Sequence, residues 1–430
     1  MRTHNLGELK NLEDNTEVKV CGWIHEVRNI GRIAFIVLRD RYGFAQITAI
    51  KKEIGKDRFK QLVSLPRESV ICVKGILKKS EIAKMGFEII PKDYEVLSIS
   101  SKPLPLGVAD KVSADLDTRL DNRFLDLRKP EIFSIFKIRS DLLEGIRNSL
   151  LRRDFVEVHT PKIVASATEG GTQLFEVKYF ENKAYLVQSP QLYKQIMMAA
   201  GFDRVFEIAP AFRAEEHDTT RHLNEFISVD VEFSFADHND AMKLLENVIY
   251  ESLKHVEKKS EEHLERLGVE IKIQKPPFPK VTYDEVLEIA RRRGIDIPWG
   301  EDIPAEGLNA VGEEYKDTYY FIVDWPISTK PFYAMPEDDR ICRAFDLQYG
   351  PREVSSGAQR IHDYDLLVKR LNECGLNPDD FDFYLQAFRY GMPPHAGWAI
   401  GMERYLMVLL GLKNIREAIL FPRDRKRLHP

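Results

Sequence analysis

Residues suited to binding phosphate and carboxylate groups gather in a predicted β-hairpin between residues 205 and 235. In its second strand, alternation places apolar side chains on one face and polar or aromatic ones on the other. Arginine clamps phosphates and carboxylates through paired hydrogen bonds, and an aromatic ring beside it suits a nucleotide base. An ordinary half-exposed hairpin with surface ion pairs explains this stretch alone equally well. The polar face and the connecting loop hold Arg213, Glu215, His217, Arg221, His222, Phe226, Ser228, Asp230 and Glu232.

Three further stretches carry residues of the same chemical kind. Gln191 and Lys194 share one face of a predicted helix, and a lysine in a first helical turn opposes the helix dipole, which indicates an anionic partner. Glu353 and Ser356 combine a carboxylate with a hydroxyl, which suits Mg²⁺. Arg404 begins a predicted helix, where it is well placed for a nucleotide phosphate. The sequence contains no glycine-rich P-loop.

The elements around these residues predict a mixed α and β domain. Residues 131–152 have the apolar spacing of an amphipathic helix, and the strand after it is broken by Pro161, which belongs at a sheet edge or an interface. A loop at 168–172 places paired glycines beside Glu169, which suits either a lid over a ligand or a plain surface turn. The prolines and charged turns of residues 272–336 indicate a peripheral insertion.

The first hundred residues predict a separate all-β domain. Five short strands with glycine-containing turns are typical of an OB-type barrel, and we predict them at residues 17–28, 33–40, 44–48, 69–78 and 87–97. We place this domain at residues 1–103, a hinge or linker at 104–128 and the second domain at 129–430. The fold class is therefore α+β.

The barrel domain also carries signs of nucleic-acid binding. It holds 19 Lys and Arg against 13 Asp and Glu, in a chain whose net charge is -5. This imbalance favours a polyanionic partner, with a chance excess on a solvated surface as the alternative. An outward Phe35 near Arg28, Gln46 and Lys84 would form a stacking plate for an unpaired base, unless Phe35 only covers an end of the barrel.

Composition sets the broad class of protein. A chain of 430 residues with 43% hydrophobic and 30% charged residues fits a globular protein with a sizeable core. We expect no membrane span and no signal peptide, because no apolar run is long enough and the N-terminus lacks a basic region followed by an apolar one. The four cysteines are scattered without a CxxC pair, so we expect neither disulfides nor zinc and a cytoplasmic location.

The motifs occur in an order that identifies a family. Helix 131–152 with Pro161 is followed by QSPQLYKQ (188–195), FRAE (212–215), RHLNEF (221–226), SSGAQR (355–360) and GMERYLMVLLG (401–411). This order resembles the class II aminoacyl-tRNA synthetases, and within them the aspartyl-tRNA synthetases of the archaeal and eukaryotic type. The resemblance covers essentially the whole chain, including the closing LFPRDRKRLHP. It implies an OB-fold anticodon-binding domain, an antiparallel catalytic domain and a homodimer formed through the first motif.

The resemblance implies a role for each residue of the ATP site. Arg213 would hold the α-phosphate, with Arg404 and Glu353 completing the catalytic set. Phe226 and Arg404 would sandwich adenine, whose amino group Glu215 would contact. The outer phosphates would meet Arg221, His222 or His217, and Glu353 and Ser356 would ligate Mg²⁺.

The aspartate site follows from the same resemblance. Lys194 and Arg360 would grip the side-chain carboxylate of aspartate, while Gln191 and Asp230 would receive its ammonium group. Glu169 would assist when its loop closes. The complete implied set is Glu169, Gln191, Lys194, Arg213, Asp230, Ser356 and Arg360.

The implied anticodon readers are Arg28, Phe35, Gln46 and Glu88. Two further residues are associated by the resemblance with whether tRNA-Asn is charged as well as tRNA-Asp, and they point in opposite directions. His25 matches members that also charge tRNA-Asn, whereas Lys84 matches members restricted to tRNA-Asp. We favour the relaxed type as a hypothesis.

Three alternatives remain open at this stage. An asparaginyl-tRNA synthetase is disfavoured by Lys194, because a neutral amide would leave two buried cations underpaired. An ammonia-dependent asparagine synthetase would lack the N-terminal barrel. A synthetase-like RNA-binding paralogue would have lost some residue of the site, and none of the matching positions is degraded.

Overall fold

The computed structural model describes residues 1–109, 114–165, 174–216 and 219–429 of the chain. It divides into two compact units, Met1–Phe133 and Ser134–Pro430.

The first unit is built on a closed five-stranded barrel, as predicted. The strands follow the order β1-β2-β3-β5-β4 around the barrel. Alternating side chains fill its interior, where Val20, Ile36 and Ile47 are fully buried. The strands are β1 Glu17–Asn29, β2 Ile33–Asp40, β3 Gly43–Ile50, β4 Val70–Lys79 and β5 Phe87–Ser98, and the helices are α1 Lys51–Ile54, α2 Lys56–Ser64, α3 Leu116–Asp121 and α4 Arg123–Asp126.

A disulfide joins Cys21 in β1 to Cys72 in β4. The two residues lie directly opposite each other in the antiparallel ladder. The expectation of unpaired cysteines was therefore wrong for this pair. The positions are 51 apart in sequence, and only the strand pairing brings them together.

Residues after the barrel pack within the same unit. Leu106, Val108 and Leu125 form a small core. Arg128 lies 2.9 Å from Glu68, a buried residue that also pairs with Arg39 at 2.7 Å. Most of the segment that we predicted as a hinge or linker, 104–128, is therefore folded against the first unit.

The described residues of the second unit form two sheets and nine α-helices, of which the first, α5, begins four residues before the unit boundary. The eight-stranded sheet has the order β12-β13-β14-β15-β16-β11-β10-β6, and a smaller sheet has the order β7-β9-β8. Its helices are α5 Pro130–Leu151, α6 Gln191–Ala199, α7 His238–Lys259, α8 Glu261–Leu267, α9 Tyr283–Arg292, α10 Ala305–Glu314, α11 Tyr364–Glu373, α12 Asp382–Arg389 and α13 Met402–Leu410. Its strands are β6 Val156–Glu157, β7 Ile163–Val164, β8 Glu176–Tyr179, β9 Asn182–Leu186, β10 Arg204–Phe212, β11 Glu225–Ser234, β12 Lys280–Thr282, β13 Tyr319–Pro326, β14 Ile341–Tyr349, β15 Arg352–Arg360 and β16 His395–Gly401.

The segment 272–336 is less peripheral than the sequence suggested. It supplies the edge strand β12 and the next strand β13 to the eight-stranded sheet. Tyr320, Phe321 and Ile322 are fully buried, and they belong to the continuous apolar run of a strand covered on both faces. The prolines that suggested an insertion flank this run.

The central strands of the sheet are antiparallel and their register is fixed by buried residues. Val229 and Val231 of β11 have no exposed surface, and β11 pairs with β10 on one side and β16 on the other. A slip by one residue would move these valines to the polar face. No helix within the described ranges is long and apolar enough to cross a membrane.

Candidate functional site

Three central strands of the eight-stranded sheet form the floor of a cleft. Ser356 of β15 pairs with Ala399 of β16, and alternation along β11 turns Phe226, Ser228 and Asp230 to the same side. Two adjoining cavities of about 220 and 180 Å³ open over this floor. Both are lined by Arg213, Phe226, Ser228, Ser356 and Ala399.

The larger cavity, named the arginine cavity, brings most of the predicted nucleotide-binding residues together. Within it the Arg213 guanidinium lies 5.6 Å from the centre of the Phe226 ring. Arg404 Nη1 lies 3.6 Å from Glu353 Oε1, and these two side chains are 34% and 40% exposed. An ion pair this open is weak and can be replaced by a ligand. The predicted residues in its lining are Arg213, Glu215, Arg221, His222, Phe226, Glu353, Ser356 and Arg404.

The surroundings of His222 favour its neutral form at pH 7. Partial desolvation by its neighbours and the charge of Arg404 lower the pKa of its imidazole, although the residue is exposed. Thr219 Oγ1 lies 2.7 Å from its Nδ1 atom, which fixes the orientation of the ring. An anion bound beside the ring would raise this pKa and restore the positive charge.

An acidic pair lies beside the floor of the arginine cavity. Glu353 of β15 lines the cavity, and Asp346 of β14 is buried opposite Ser356, three residues after Glu353 in the same strand. Desolvation of the Glu353 carboxyl by the cavity wall raises its pKa, although 40% of the side chain is exposed, and the negative charge of Asp346 raises it further. Asp346 Oδ2 accepts from Lys330 Nζ at 2.7 Å, whereas Asp346 Oδ1 is buried and has no hydrogen-bond partner. A divalent cation beside these oxygens would satisfy the orphaned atom and relieve the repulsion.

The oxygen atoms of Glu353, Ser356 and Asp346 would supply only part of the coordination shell of a metal ion. The described part of the chain contains no group of three His, Cys, Asp or Glu side chains arranged around a metal. Mg²⁺ commonly binds through one or two carboxylates together with substrate phosphates and water. Two carboxylates and the Ser356 hydroxyl therefore fit Mg²⁺ better than they fit a metal that needs a closed protein cage.

The smaller cavity, named the lysine cavity, contains a buried ionic cluster. Lys194 Nζ lies 3.1 Å from Asp230 Oδ1 and 3.5 Å from Glu232 Oε2. Arg360 donates to both oxygens of Glu232 at 2.9 and 3.2 Å. The Lys194 and Arg360 side chains are only 4% and 5% exposed. The anionic partner expected for Lys194 is thus present, and Gln191, Lys194, Asp230, Ser356 and Arg360 all line this cavity.

Glu232 balances the cations of the cluster from below the cavity. Burial raises the pKa of this carboxyl, but Arg360 and Lys194 outweigh that effect and the pKa lies below its usual value. The nearby His395 is fully buried, and desolvation lowers its pKa to about 4. His395 is therefore neutral at pH 7, and Glu232 remains the anion that holds both cations.

Two predicted site residues, Glu169 and His217, lie outside the described residues. Their proposed roles rest on the resemblance alone.

The predicted anticodon readers lie in the barrel unit. Phe35 of β2 pairs with Thr48 of β3, and Gln46 Nε2 donates to Glu88 Oε2 at 3.2 Å. Arg28 lies opposite Phe35 across β1 and β2. The structure thus places Arg28, Phe35, Gln46 and Glu88 on four adjacent strands of the barrel, β1, β2, β3 and β5.

The two residues associated with breadth of tRNA use have different settings. His25 lies at an irregularity of the β1–β2 ladder, packs edge-on against Phe44, and has its Nδ1 atom 2.9 Å from the guanidinium of Arg39. Desolvation and the charge of Arg39 lower the pKa of His25, so the ring is neutral. Lys84 is exposed in the loop between β4 and β5.

Comparison with known protein families accounts for this arrangement. Residues 115–425 match the family described as class II tRNA synthetases for D, K and N. The chain belongs to this family. Residues 18–97 match the OB-fold nucleic acid binding domain, which corresponds to the barrel. The synthetase is therefore an aminoacyl-tRNA ligase that uses ATP and has tRNA and an amino acid as substrates.

Similar proteins align with the synthetase over its full length. An aspartate–tRNA(Asp/Asn) ligase of Methanocaldococcus jannaschii is 53% identical over 431 residues, covering 100% of this chain and 98% of the relative. An aspartate–tRNA(Asp) ligase of Pyrococcus furiosus is 52% identical over 437 residues, covering 100% of both. The structure of asparaginyl-tRNA synthetase from Pyrococcus horikoshii with asparaginyl-adenylate has a TM-score of 0.93 at 34% identity, covering 99% of each chain.

The synthetase site contains residues that the sequence did not single out. Asp346 and Lys330 line or adjoin the cavities, and Glu232 was noted only as part of a polar face. Glu403 accepts from Arg139 Nη2 at 2.8 Å and from the Ile227 backbone at 2.9 Å, so it ties α13 to β11 beside Phe226. Of these residues, only Glu232 was indicated by the sequence, through the alternation of apolar and polar residues along β11.

Proposed function

We propose that the synthetase activates L-aspartate with ATP and transfers the aspartyl group to tRNA-Asp. The observation that carries this proposal is the pair of buried cations, Lys194 and Arg360, beside the arginine cavity. A side-chain carboxylate entering the lysine cavity would meet both cations and Lys330. The names of the relatives from Methanocaldococcus jannaschii and Pyrococcus furiosus support the same amino acid.

The shared wall between the cavities suits the first chemical step. The α-carboxylate of aspartate attacks the α-phosphorus of ATP, pyrophosphate leaves, and aspartyl-adenylate forms. Arg213 lines both cavities and so can contact both reacting groups as negative charge accumulates. No protein nucleophile takes part, and the rate gain comes from positioning and electrostatic stabilisation. A terminal ribose hydroxyl of tRNA then attacks the aspartyl carbonyl and releases AMP.

The remaining residues of the arginine cavity would bind the nucleotide. Adenine would stack between Phe226 and Arg404, with Glu215 accepting from its amino group. Arg221 and His222 would face the outer phosphates, and the histidine would gain a proton as they bind. In the lysine cavity, Gln191 and Asp230 would receive the ammonium group of aspartate, assisted by Glu169.

We infer that Mg²⁺ is held by Glu353, Ser356 and Asp346. The orphaned Oδ1 atom of Asp346 and the raised pKa of Glu353 support this assignment. When bound, the ion would neutralise charge on the ATP phosphates.

Replacing Asp346 with asparagine should raise the Mg²⁺ concentration needed for half-maximal ATP–pyrophosphate exchange. We expect an increase of about tenfold or more, the scale seen when groups around a metal are altered. A magnesium titration of exchange measures the effect. Asp324→Asn is the matched control, since Asp324 lies in the neighbouring strand β13, which does not pair with the strand that carries Glu353 and Ser356. An unchanged requirement in Asp346→Asn would remove Asp346 from the metal site.

Asparaginyl-tRNA synthetase is the competing function, because the structure from Pyrococcus horikoshii belongs to such an enzyme. A neutral amide would leave Lys194 and Arg360 without the additional negative charge that a carboxylate supplies. Discrimination at a site built for a charged group amounts to several kcal/mol. An asparagine synthetase without tRNA is opposed by the OB-fold barrel, which the chain possesses.

We further propose that the synthetase is a cytoplasmic homodimer that also charges tRNA-Asn. The dimer surface would include α5, β6 and Pro161, and nearby Ile163 is 49% exposed. His25 and the printed Asp/Asn specificity of the Methanocaldococcus jannaschii relative support the broader tRNA use. The cytoplasmic location is inferred from the proposed substrates, tRNA, aspartate and ATP.

Charging assays with labelled amino acids test the function directly. Purified tRNA-Asp and tRNA-Asn transcripts are each incubated with labelled aspartate or asparagine. We expect aspartate on both transcripts and asparagine on neither. A rate on tRNA-Asn below 1% of that on tRNA-Asp, roughly 2.7 kcal/mol, would reject the relaxed type and point to Lys84. Asparagine on tRNA-Asn would establish the competing function, and no charging at all would indicate a paralogue.

A further inference from the structure

The chain beyond α13 returns to the mouth of the arginine cavity. Ile415 lines the cavity, and its backbone N–H donates to the Thr220 carbonyl at 2.9 Å. Further along, the Asn224 N–H donates to the Arg423 carbonyl at 2.8 Å. The segment is thus tied at two points to the connection between β10 and β11 that carries Arg221 and His222.

Apolar contacts fix the same segment beside the proposed adenine site. Leu223, Met407 and Ile415 form a buried cluster, against which Phe226, Leu412 and Ile419 pack. The position of the segment at the cavity mouth is therefore set by both hydrogen bonds and a small core.

Residues 412–429, named the C-terminal basic segment, carry a concentrated positive charge. The segment holds six Lys and Arg against two Asp and Glu, a local charge of +4 in a chain with a net charge of -5. Asp424 is used internally, since it pairs with Arg416 and accepts from the backbone of Lys426 and Arg427 at 2.9 Å. Arg425 and Lys426 are exposed.

We propose that the C-terminal basic segment binds the phosphates of the acceptor arm of tRNA and guides its 3′ end into the arginine cavity. This inference rests on the proposed function. Arg425 and Lys426 are exposed and are not part of the cavity lining, so a ligand that contacts them together with the cavity must extend beyond a nucleotide bound inside it. A polyanion approaching an otherwise acidic chain is attracted most strongly where positive charge is concentrated.

An aromatic side chain in the segment supports a nucleic acid over other anions. Phe421 is 43% exposed, and it stands two residues before the run of cations. Half-exposed rings beside basic side chains are typical of surfaces that contact unpaired bases. The 3′ end of tRNA is single-stranded, and in the proposed reaction it enters the arginine cavity, at whose mouth this segment lies.

The test compares Arg425→Ala and the double variant R425A/K426A with the wild-type enzyme. We expect the KM for tRNA to rise about tenfold in the double variant and less in the single one, with ATP–pyrophosphate exchange unchanged. Binding of a minihelix with only the acceptor arm should depend less on salt for the double variant than for the wild-type enzyme. We expect the slope of log K against log salt to be smaller by about two. The control is K258A/R291A, which removes two exposed cations from α7 and α9.

Three outcomes would overturn the inference. In the first, the KM for tRNA and the salt slope of R425A/K426A match those of the control. In the second, ATP–pyrophosphate exchange falls together with charging. In the third, the variant changes its oligomeric state, which would assign the segment to contact with a second copy of the chain. Failure of the wild-type enzyme to charge any tRNA would instead reject the proposed function. The two failures are therefore distinguishable.

Discussion

Replacing Lys194 with leucine is expected to abolish aspartate-dependent ATP–pyrophosphate exchange while ATP binding survives. Lys194 Nζ is buried at the floor of the lysine cavity and lies 3.1 Å from Asp230. Without this cation an incoming carboxylate would face two buried acids and one remaining buried arginine. A loss of several kcal/mol corresponds to a rate reduced by about a thousandfold or more. Lys194 is absent from the lining of the arginine cavity, which supports intact ATP binding.

The control must separate a lost contact from a damaged fold. Lys137→Leu is suited to this purpose, because Lys137 also pairs with a buried carboxylate, Asp141, but lines neither cavity. We expect Lys137→Leu to retain exchange, and both variants to bind ATP in equilibrium dialysis. Exchange by Lys194→Leu within tenfold of the wild-type rate would show that Lys194 does not grip the aspartate side chain.

The parts of the fold that depend on local periodicity were predictable. The predicted and observed bounds of β2 are both 33–40, because alternation and the flanking turns define a strand without reference to its neighbours. The same alternation along β11 placed Phe226, Ser228 and Asp230 on one face, and these three residues line the cleft. Two residues with roles implied by the resemblance, Phe226 and Asp230, therefore line the cleft, although the roles themselves stay predictions.

The parts that depend on strand register were not predictable. Asp346 lies beside the cleft because β14 pairs with β15 so that Asp346 is opposite Ser356, which lines both cavities, and a register irregularity follows at the next residues. The Cys21–Cys72 disulfide depends in the same way on the pairing of β1 with β4. Such pairings join residues far apart in sequence, and no local pattern encodes them. The buried strand β13 is a different case, because its continuous apolar run was visible but was outweighed by the surrounding prolines.

The ionic cluster of the lysine cavity also gives a large expected effect on stability. Arg360 donates two hydrogen bonds to Glu232, whose side chain is fully buried. Replacing Arg360 with glutamine would leave this carboxylate with Lys194 at 3.5 Å as its main counter-charge. Breaking a buried ion pair on one side costs about 3–5 kcal/mol. Chemical denaturation should therefore show Arg360→Gln to be destabilised by this amount at pH 7, and aspartate-dependent exchange should be lost.

The double variant R360Q/E232Q separates stability from activity. Removing both charges leaves no uncompensated ion, so most of the lost free energy of unfolding should return, whereas aspartate-dependent exchange should not. The pH dependence gives a second check. Because the folded-state pKa of Glu232 lies below its ordinary value of 4.5, the ion pair stabilises the wild type above about pH 4.5 and loses this effect as the pH falls. The advantage of the wild type over Arg360→Gln should thus shrink in acid, and a constant difference from pH 7 to pH 3 would assign the stabilisation to packing. Recovery of exchange in R360Q/E232Q would show that Arg360 only neutralises Glu232 and does not bind the substrate.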